Sequence, residues 1–166
     1  VTLEGIAGQH LELGLEIQPA RAERVGLKVR CSPDGEEQTA VWCDRASGVL
    51  RVDVSKSTLR PDVTYGSPPF TSYSLQNATD NPNPIHQFEA PLELAAGDPI
   101  RLRVFIDGPM IEIFANDRQC VTQVVFPRRR DSTGIRLCAV GDGATVSRLD
   151  AWTMKPLEFE DRRARP

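Results

Sequence analysis

The side chains that could do chemistry are concentrated around one predicted hairpin. Arg103 and Asp107 fall on one face of a strand in which polar and apolar residues alternate, and Asp107 stands directly before a Gly-Pro turn. Glu112, on the next predicted strand, lies between Ile111 and Ile113 and points away from the face that those two share. Such a row of charges can hold hydroxyl groups of a ligand, pin the hairpin, or form a docking surface for another domain.

Aromatic side chains are the second group with binding chemistry, because a ring can stack on a flat ligand. Trp42 is out of phase with Val41 and Cys43, so we expect it to face outward. Tyr65 and Tyr73 lie in a proline-rich stretch, within reach of the charged row. Only 6% of the residues are aromatic, which is sparse for an exposed binding platform.

The cysteines do not predict a metal centre. The chain has 4 cysteines without a C-x-x-C pair and only 2 histidines, so it lacks a zinc-ligand pattern. We expect neither a metal nor an organic cofactor. We expect the cysteines to be mostly buried free thiols, since a domain of this size folds without disulfides. The alternative is a disulfide between Cys31 and Cys43, which are in phase on the two strands of a predicted hairpin.

Charge and hydropathy exclude several classes of partner. The 166 residues carry 20 basic and 23 acidic side chains, a net charge of −3, which gives no basic footprint for nucleic acid or an anionic membrane. No apolar run reaches the roughly 20 residues that a membrane-spanning helix needs. The sequence has no signal-peptide pattern and reads as a piece of a longer protein, so it assigns no cellular compartment.

The elements that position these residues are predicted to be strands. Apolar residues recur with a period of two along almost the whole chain, and no window keeps a helical period. About ten short strands with tight turns predict an all-β, antiparallel two-sheet β-sandwich of the concanavalin or jelly-roll kind, over residues 1–157 with a polar tail at 158–166. A long irregular loop is expected over Thr58–Pro84. The clearest predicted strands are His10–Ile17, Val25–Cys31, Thr39–Cys43, Val49–Val54, Ile100–Ile106, Met110–Phe114, Cys120–Phe126, Gly134–Val140 and Thr145–Met154.

One segment carries a family resemblance. Residues Arg101–Arg118 read RLRVFIDGPMIEIFANDR, which resembles the C-terminal domain of glycoside hydrolase family 32, the family of invertases, levanases and inulinases. The chain departs from the family pattern at Pro109 and after Asp53. Three further stretches resemble the family in the same order: Leu3–Gly5, Gly26–Thr39 and Ser147–Lys155.

The resemblance implies that this chain by itself catalyses nothing. In the family, the two carboxyl groups needed for glycoside hydrolysis, roughly 5–5.5 Å apart in a retaining enzyme, belong to an N-terminal five-bladed propeller with Asn-Asp-Pro-Asn, Arg-Asp-Pro and Glu-Cys motifs. The segment Asp80–Pro84 reads DNPNP, which exchanges the Asp and Asn of the first motif. A Pro/Asn/Asp cluster between strands is typical of a turn.

The resemblance therefore implies a non-catalytic module of an enzyme that cleaves sucrose or fructans, with the catalytic propeller as its partner. Two alternatives stay open: a free-standing carbohydrate-binding module for fructans, and a homodimerisation module. We favour structural and docking roles over sugar binding for the charged row. The candidate residues for carbohydrate or interdomain contacts are Arg103, Asp107, Glu112, Asp53, Trp42, Tyr65 and Tyr73.

Overall fold

The computed structural model describes residues 1–65 and 85–155. Tyr73, the Asp80–Pro84 motif and the predicted tail at 158–166 lie outside the described residues. The described part contains eleven strands and no α-helix. In chain order the strands are β1 (Thr2–Ala7), β2 (His10–Gln18), β3 (Arg24–Cys31), β4 (Gln38–Asp44), β5 (Val49–Lys56), β6 (Gln87–Pro91), β7 (Ile100–Asp107), β8 (Met110–Ala115), β9 (Gln119–Val124), β10 (Gly134–Val140) and β11 (Thr145–Thr153).

The strands form two sheets in which every neighbouring pair is antiparallel. The six-stranded sheet has the order β1-β10-β3-β4-β5-β6, and the five-stranded sheet has the order β11-β2-β7-β8-β9. The two-sheet antiparallel sandwich predicted from the sequence is confirmed. Several neighbours in space, such as β10 and β3, are far apart in the chain.

The core lies between the sheets and follows from the period-two pattern. Leu13 of β2, Leu27 of β3, Val41 of β4, Val104 of β7 and Ile113 of β8 all have no exposed surface. Burying one large aliphatic side chain contributes about 1.5–3 kcal/mol. Because alternate residues of each strand point inward, the intervening residues form two outer faces, one on each sheet.

Two of the eleven strands, β1 and β6, are not among the strands predicted from periodicity. β6 (Gln87–Pro91) pairs with β5 at the edge of the six-stranded sheet. β6 has only five residues, two of them polar, and it ends in a proline, a residue that sheets tolerate at their edges. An edge strand of this kind is held by its backbone hydrogen bonds to β5 rather than by a buried apolar row, so periodicity gives little signal for it.

The register of the β3–β4 hairpin rules out the Cys31–Cys43 alternative. Cys43 lies opposite Val25, whereas Cys31 lies opposite Gly134 of β10. The rise of about 3.3 Å per residue along β3 separates the two cysteines by about 20 Å, far beyond the roughly 7 Å that a disulfide can span. All four cysteines are free thiols in the structure. Burial raises the pKa of Cys43 to about 12.

Candidate functional site

The structure does not bring the predicted site residues together. Arg103, Asp107 and Glu112 lie on the outer face of the five-stranded sheet, alternating with buried residues of β7 and β8. Trp42 and Asp53 alternate with buried residues of β4 and β5 and lie on the outer face of the six-stranded sheet. The sandwich core separates the two groups, so they cannot contact one small ligand.

Tyr65 is not on either face. Its side chain is only 9% exposed and belongs to the hydrophobic core. The backbone N–H of Phe126 donates a hydrogen bond to the Tyr65 hydroxyl oxygen at 3.3 Å, and burial raises the pKa of this phenol. The Tyr65 ring therefore does not lie beside the charged row, because the start of the loop folds inward.

The outer face of the five-stranded sheet is a regular grid. The register places Trp152, Glu12, Phe105, Glu112 and Thr122 in one row across all five strands. Neighbouring side chains in such a row are about 5 Å apart and interact directly. We call this surface the β7 face, since β7 is its central strand.

The arginines of the β7 face are paired across strands. Arg103 donates to Glu12 with a closest N–O distance of 2.7 Å, and Arg101 donates to Glu16 at 3.0 Å. The Arg103 guanidinium also lies 4.9 Å from the ring centroid of Phe105, a cation–π geometry. The hydrogen bond from Arg101 is the largest of the effects that lower the pKa of Glu16. Because these pairs are exposed to solvent, which screens the charges, they add little to the stability of the fold.

The two carboxylates predicted for this face have different surroundings. Asp107 bonds His10 of β2 at 2.8 Å, a pair in which both side chains are exposed. Glu112 makes one contact, a long 3.5 Å hydrogen bond from the hydroxyl of Thr122, and no ion pair among the described residues. Glu112 is thus the carboxylate of the predicted row that forms no ion pair with any described residue.

Apolar side chains share the β7 face with these charges. Met110, Phe114 and Trp152 are 43%, 37% and 50% exposed. Phe114 meets Phe105 edge to face, with ring centroids 6.0 Å apart. The indole of Trp152 lies over Gly14, at whose position a Cβ atom would be 3.7 Å from the ring. Trp152 is therefore a surface aromatic and not a core residue.

Charged side chains on the outer face of the six-stranded sheet contact neighbours on the same face. The Arg24 guanidinium lies 5.3 Å from the ring centroid of Trp42. Arg51 bridges Glu89 at 2.6 Å and Asp44 at 3.3 Å. The Arg24 guanidinium therefore stacks on the Trp42 ring. The charge of Arg51 is compensated by the two carboxylates that it contacts.

Asp53 lies on the same outer face and is also hydrogen-bonded to its neighbours. Its carboxylate accepts hydrogen bonds from the Ser55 backbone N–H at 2.9 Å and from the Gln87 side-chain amide at 3.2 Å. Partial burial favours the neutral acid, but these hydrogen bonds outweigh it and hold the pKa of Asp53 below its ordinary value. Through these hydrogen bonds Asp53 holds β5 and β6 together at the edge of the sheet.

Sequence reasoning missed one buried carboxylate. Glu37 has no exposed surface, and its oxygens accept four hydrogen bonds: from Leu59 N at 2.8 Å, Arg128 N at 2.7 Å, Arg129 N at 3.0 Å and the Ser132 hydroxyl at 2.6 Å. Burial alone would raise its pKa, but these donors lower it. Glu37 joins three loops at one end of the sandwich. Its place in the turn sequence SPDGEEQ predicts an exposed side chain, so no local signal could have identified it.

A buried arginine accompanies Glu37. Arg30 is 6% exposed and has a positive φ of 52°, in the irregular part of the β3–β10 pairing. Burial lowers its pKa, and the charge of Glu37 opposes that shift. Its Nε and Nη1 atoms have no hydrogen-bond partner among the described residues. The positive charge of Arg30 is thus stabilised by the negative charge of Glu37, although the two side chains form no ion pair or hydrogen bond.

Residues 1–65 and 85–155 hold no group of three or more His, Cys, Asp and Glu side chains that could bind a metal ion. The same part of the chain has no helix that is long and apolar enough to cross a membrane. The chemistry that its outer faces offer is that of surface contact: aromatic packing, ion pairing and hydrogen bonding.

Comparison with known proteins identifies the family. The family described as "Glycosyl hydrolases family 32 C terminal" matches residues 2–153, nearly the whole chain. This chain belongs to that family. The resemblance inferred from Arg101–Arg118 is confirmed.

Two curated proteins are similar to this domain in sequence. The domain is 32% identical over 163 residues to a levanase of Bacillus subtilis, covering 94% of this chain and 20% of the levanase. It is 25% identical over 152 residues to a sucrose-6-phosphate hydrolase of Zymomonas mobilis, covering 89% of this chain and 24% of that enzyme. The domain thus spans about a fifth to a quarter of these relatives.

Solved structures show the same fold. An exo-inulinase from Aspergillus awamori superposes with a TM-score of 0.67 at 20% identity, covering 93% of this chain and 28% of the inulinase chain. At this identity the likeness establishes the β-sandwich and not the details of any surface.

Proposed function

We propose that this domain is the non-catalytic C-terminal module of a hydrolase that cleaves sucrose or fructans, and that it braces the catalytic propeller of that enzyme. The module takes residues 1–157 in this proposal, with 158–166 as a polar tail. The observation that carries the proposal is the family match over residues 2–153. The names of the levanase and the sucrose-6-phosphate hydrolase support the substrate class.

Seven carboxyl groups among the described residues suit a structural role. A glycosidase needs a carboxylic acid whose pKa is raised so that it can protonate the leaving group. Among the described residues, every carboxyl group with a resolved pKa shift is shifted downward, and the group comprises Glu16, Asp34, Glu37, Asp44, Asp53, Asp62 and Asp131. These residues are held as anions by hydrogen bonds and arginines, which suits structural pairing and not proton donation.

The test is a fructose-release assay on the purified chain with sucrose, inulin and levan. We expect no release above a buffer blank. Release that survives repurification and is lost in an Asp80→Asn variant would overturn the proposal, because it would assign catalysis to this chain. The same preparation must show the cooperative thermal unfolding of a folded domain, so that inactivity is not due to misfolding.

Fructan binding is the second candidate, and the exposed Trp152 beside Glu12 and Arg103 favours it. Sugar sites combine an aromatic wall with convergent hydrogen-bonding groups that are free to reach the ligand. Here Arg103 is already bonded to Glu12, and Tyr65 is in the core. The commitment of these groups to one another favours docking over sugar binding.

A further inference from the structure

The exposed apolar side chains are unevenly distributed. The described residues include eight large hydrophobic side chains that are strongly exposed. Half of them lie on the β7 face: Met110, Phe114, Val124 and Trp152. Clustered exposed apolar residues rimmed by polar ones mark interaction surfaces, whereas scattered ones do not. The opposite outer face has Trp42 as its large aromatic side chain, and Arg24 stacks on it.

The exposed apolar residues of the β7 face form two groups, one on β8 and β9 and the other at Trp152 of β11, with β2 and β7 between them. Met110 and Val124 are register partners on β8 and β9. Phe114 packs against Phe105, and Trp152 lies over Gly14 on the far side of β2. Aromatic residues, methionine and arginine are the residue types enriched at the centres of protein interfaces.

The charges of this face define the partner that it fits. Each of its arginines already has a carboxylate: Arg101–Glu16, Arg103–Glu12 and Arg148–Asp150. Glu112 has no ion-pair partner among the described residues, and it lies in register with Phe105 and Thr122. Covering this face would bury the carboxylate, which is unfavourable unless the covering surface supplies a cation or N–H donors.

We infer that the β7 face, centred on Glu112, Phe114 and Trp152, is the surface on which the catalytic domain docks. That domain presents a basic side chain to Glu112 and an apolar surface to Trp152 and Phe114. This inference rests on the proposed function and specifies the surface that carries it. The family relatives support the choice of occupant, because four-fifths of the levanase lies outside the segment that this domain matches.

A second copy of the domain fits this face less well. In a two-fold dimer each subunit presents the same patch to the other, so Glu112 would meet a surface whose arginines are already paired. Among the described residues, the β7 face of the copy therefore offers no unpaired arginine to Glu112. A catalytic domain is not subject to this symmetry. Contacts between domains bury about 600–1,500 Å², a size that a five-stranded sheet face can supply.

The experiment uses the complete hydrolase that the proposed function requires, and the chain described here in parallel. Two variants change the proposed contacts, Trp152→Ala and Glu112→Gln. Two controls change matched exposed residues elsewhere, Leu59→Ala and Glu4→Gln. The half-life of fructose-releasing activity at a raised temperature is measured for the hydrolase, and the thermal midpoint is measured for the isolated chain.

We expect Trp152→Ala to shorten the half-life of the hydrolase about tenfold and Glu112→Gln about fivefold, as for buried interface anchors. Both controls should stay within about twofold. In the isolated chain all four variants should keep the wild-type midpoint within about 2 °C, since Trp152, Leu59 and Glu4 are exposed and the half-buried Glu112 makes only a long hydrogen bond. A loss seen equally in the isolated chain would assign Trp152 to domain folding and overturn the inference.

The two proposals fail in different ways. A complete protein that releases no fructose overturns the proposed function, and the docking surface with it. An active hydrolase whose half-life is unaffected by both β7-face variants overturns only the docking surface. Saturable fructan binding that the Trp152→Ala variant abolishes, with unchanged half-lives, would reassign the face to carbohydrate.

Discussion

The Ser132 hydroxyl donates a 2.6 Å hydrogen bond to the buried carboxylate of Glu37, across 95 positions of the sequence. Through Glu37 the β3–β4 turn is joined to the β9–β10 loop and to Leu59 at the start of the loop after β5. We therefore expect the stability of this end of the sandwich to depend on the Glu37 side chain.

Replacing Glu37 with glutamine should destabilise the domain by about 2–4 kcal/mol. The amide keeps the shape of the carboxylate but turns an NH2 group toward backbone N–H donors, which leaves buried donors unpaired. Urea unfolding followed by circular dichroism measures the loss. The control is Glu36→Gln, which changes an exposed neighbour bonded to Arg129 at 3.2 Å. Equal effects of the two changes would contradict this role for Glu37.

The stability of the domain should fall at acid pH, and Glu37 should account for part of the fall. Its folded pKa is lowered from an ordinary value of 4.5, so its ionisation stabilises the folded state above about pH 4.5 and the contribution is lost as the pH falls through the folded pKa. Urea midpoints between pH 7 and pH 3 should decline less steeply in Glu37→Gln. Parallel curves for the two proteins would show that Glu37 does not titrate in this way.

Alanine substitutions at two glycines of the outer faces should change the stability of the domain in different ways. A Cβ atom at Gly26 would lie 2.0 Å from the carbonyl oxygen of Val41, so Gly26→Ala must move a neighbouring strand and should cost at least about 2 kcal/mol. A Cβ atom at Gly14 would be 3.7 Å from the Trp152 ring, an ordinary contact. Gly14→Ala should therefore be neutral or slightly stabilising. Thermal midpoints of the two variants measure the difference, and a harmless Gly26→Ala would mean that β3 and β4 are further apart.

The four cysteines should titrate as free thiols in the denatured, non-reduced protein. In the native protein the exposed Cys120 should react first. Cys43 and Cys138 should react slowly, because burial raises the pKa of each to about 12 and the thiolate is the reactive form. Mass spectrometry after brief alkylation gives the order. Fewer than four groups in the denatured protein would reveal a disulfide.

The isolated chain should not bind fructans measurably. Calorimetric titration with levan and inulin oligomers is expected to show no saturable heat, because the Arg103 side chain of the β7 face is committed to Glu12. Millimolar or tighter binding that disappears in Glu112→Ala would make the domain a carbohydrate-binding module. A Glu4→Gln variant controls for a general effect of charge.

The sequence by itself determined the fold class and the side of each strand that faces the core. Period two depends only on the backbone geometry of a strand, so the shared face of Arg103 and Asp107 and the outward position of Trp42 could be predicted. The family could also be inferred from the sequence, because the pattern of Arg101–Arg118 can be read without knowing which strands pair.

Only the tertiary structure decided which strands are neighbours and which surfaces they form. Alternation says nothing about the register between β3 and β4, which places Cys43 opposite Val25 and not near Cys31. It could not place Trp42 and Glu112 on opposite sides of the sandwich, bury Glu37, or fold Tyr65 inward. These outcomes depend on contacts between residues far apart in the chain, which local patterns of polarity do not encode.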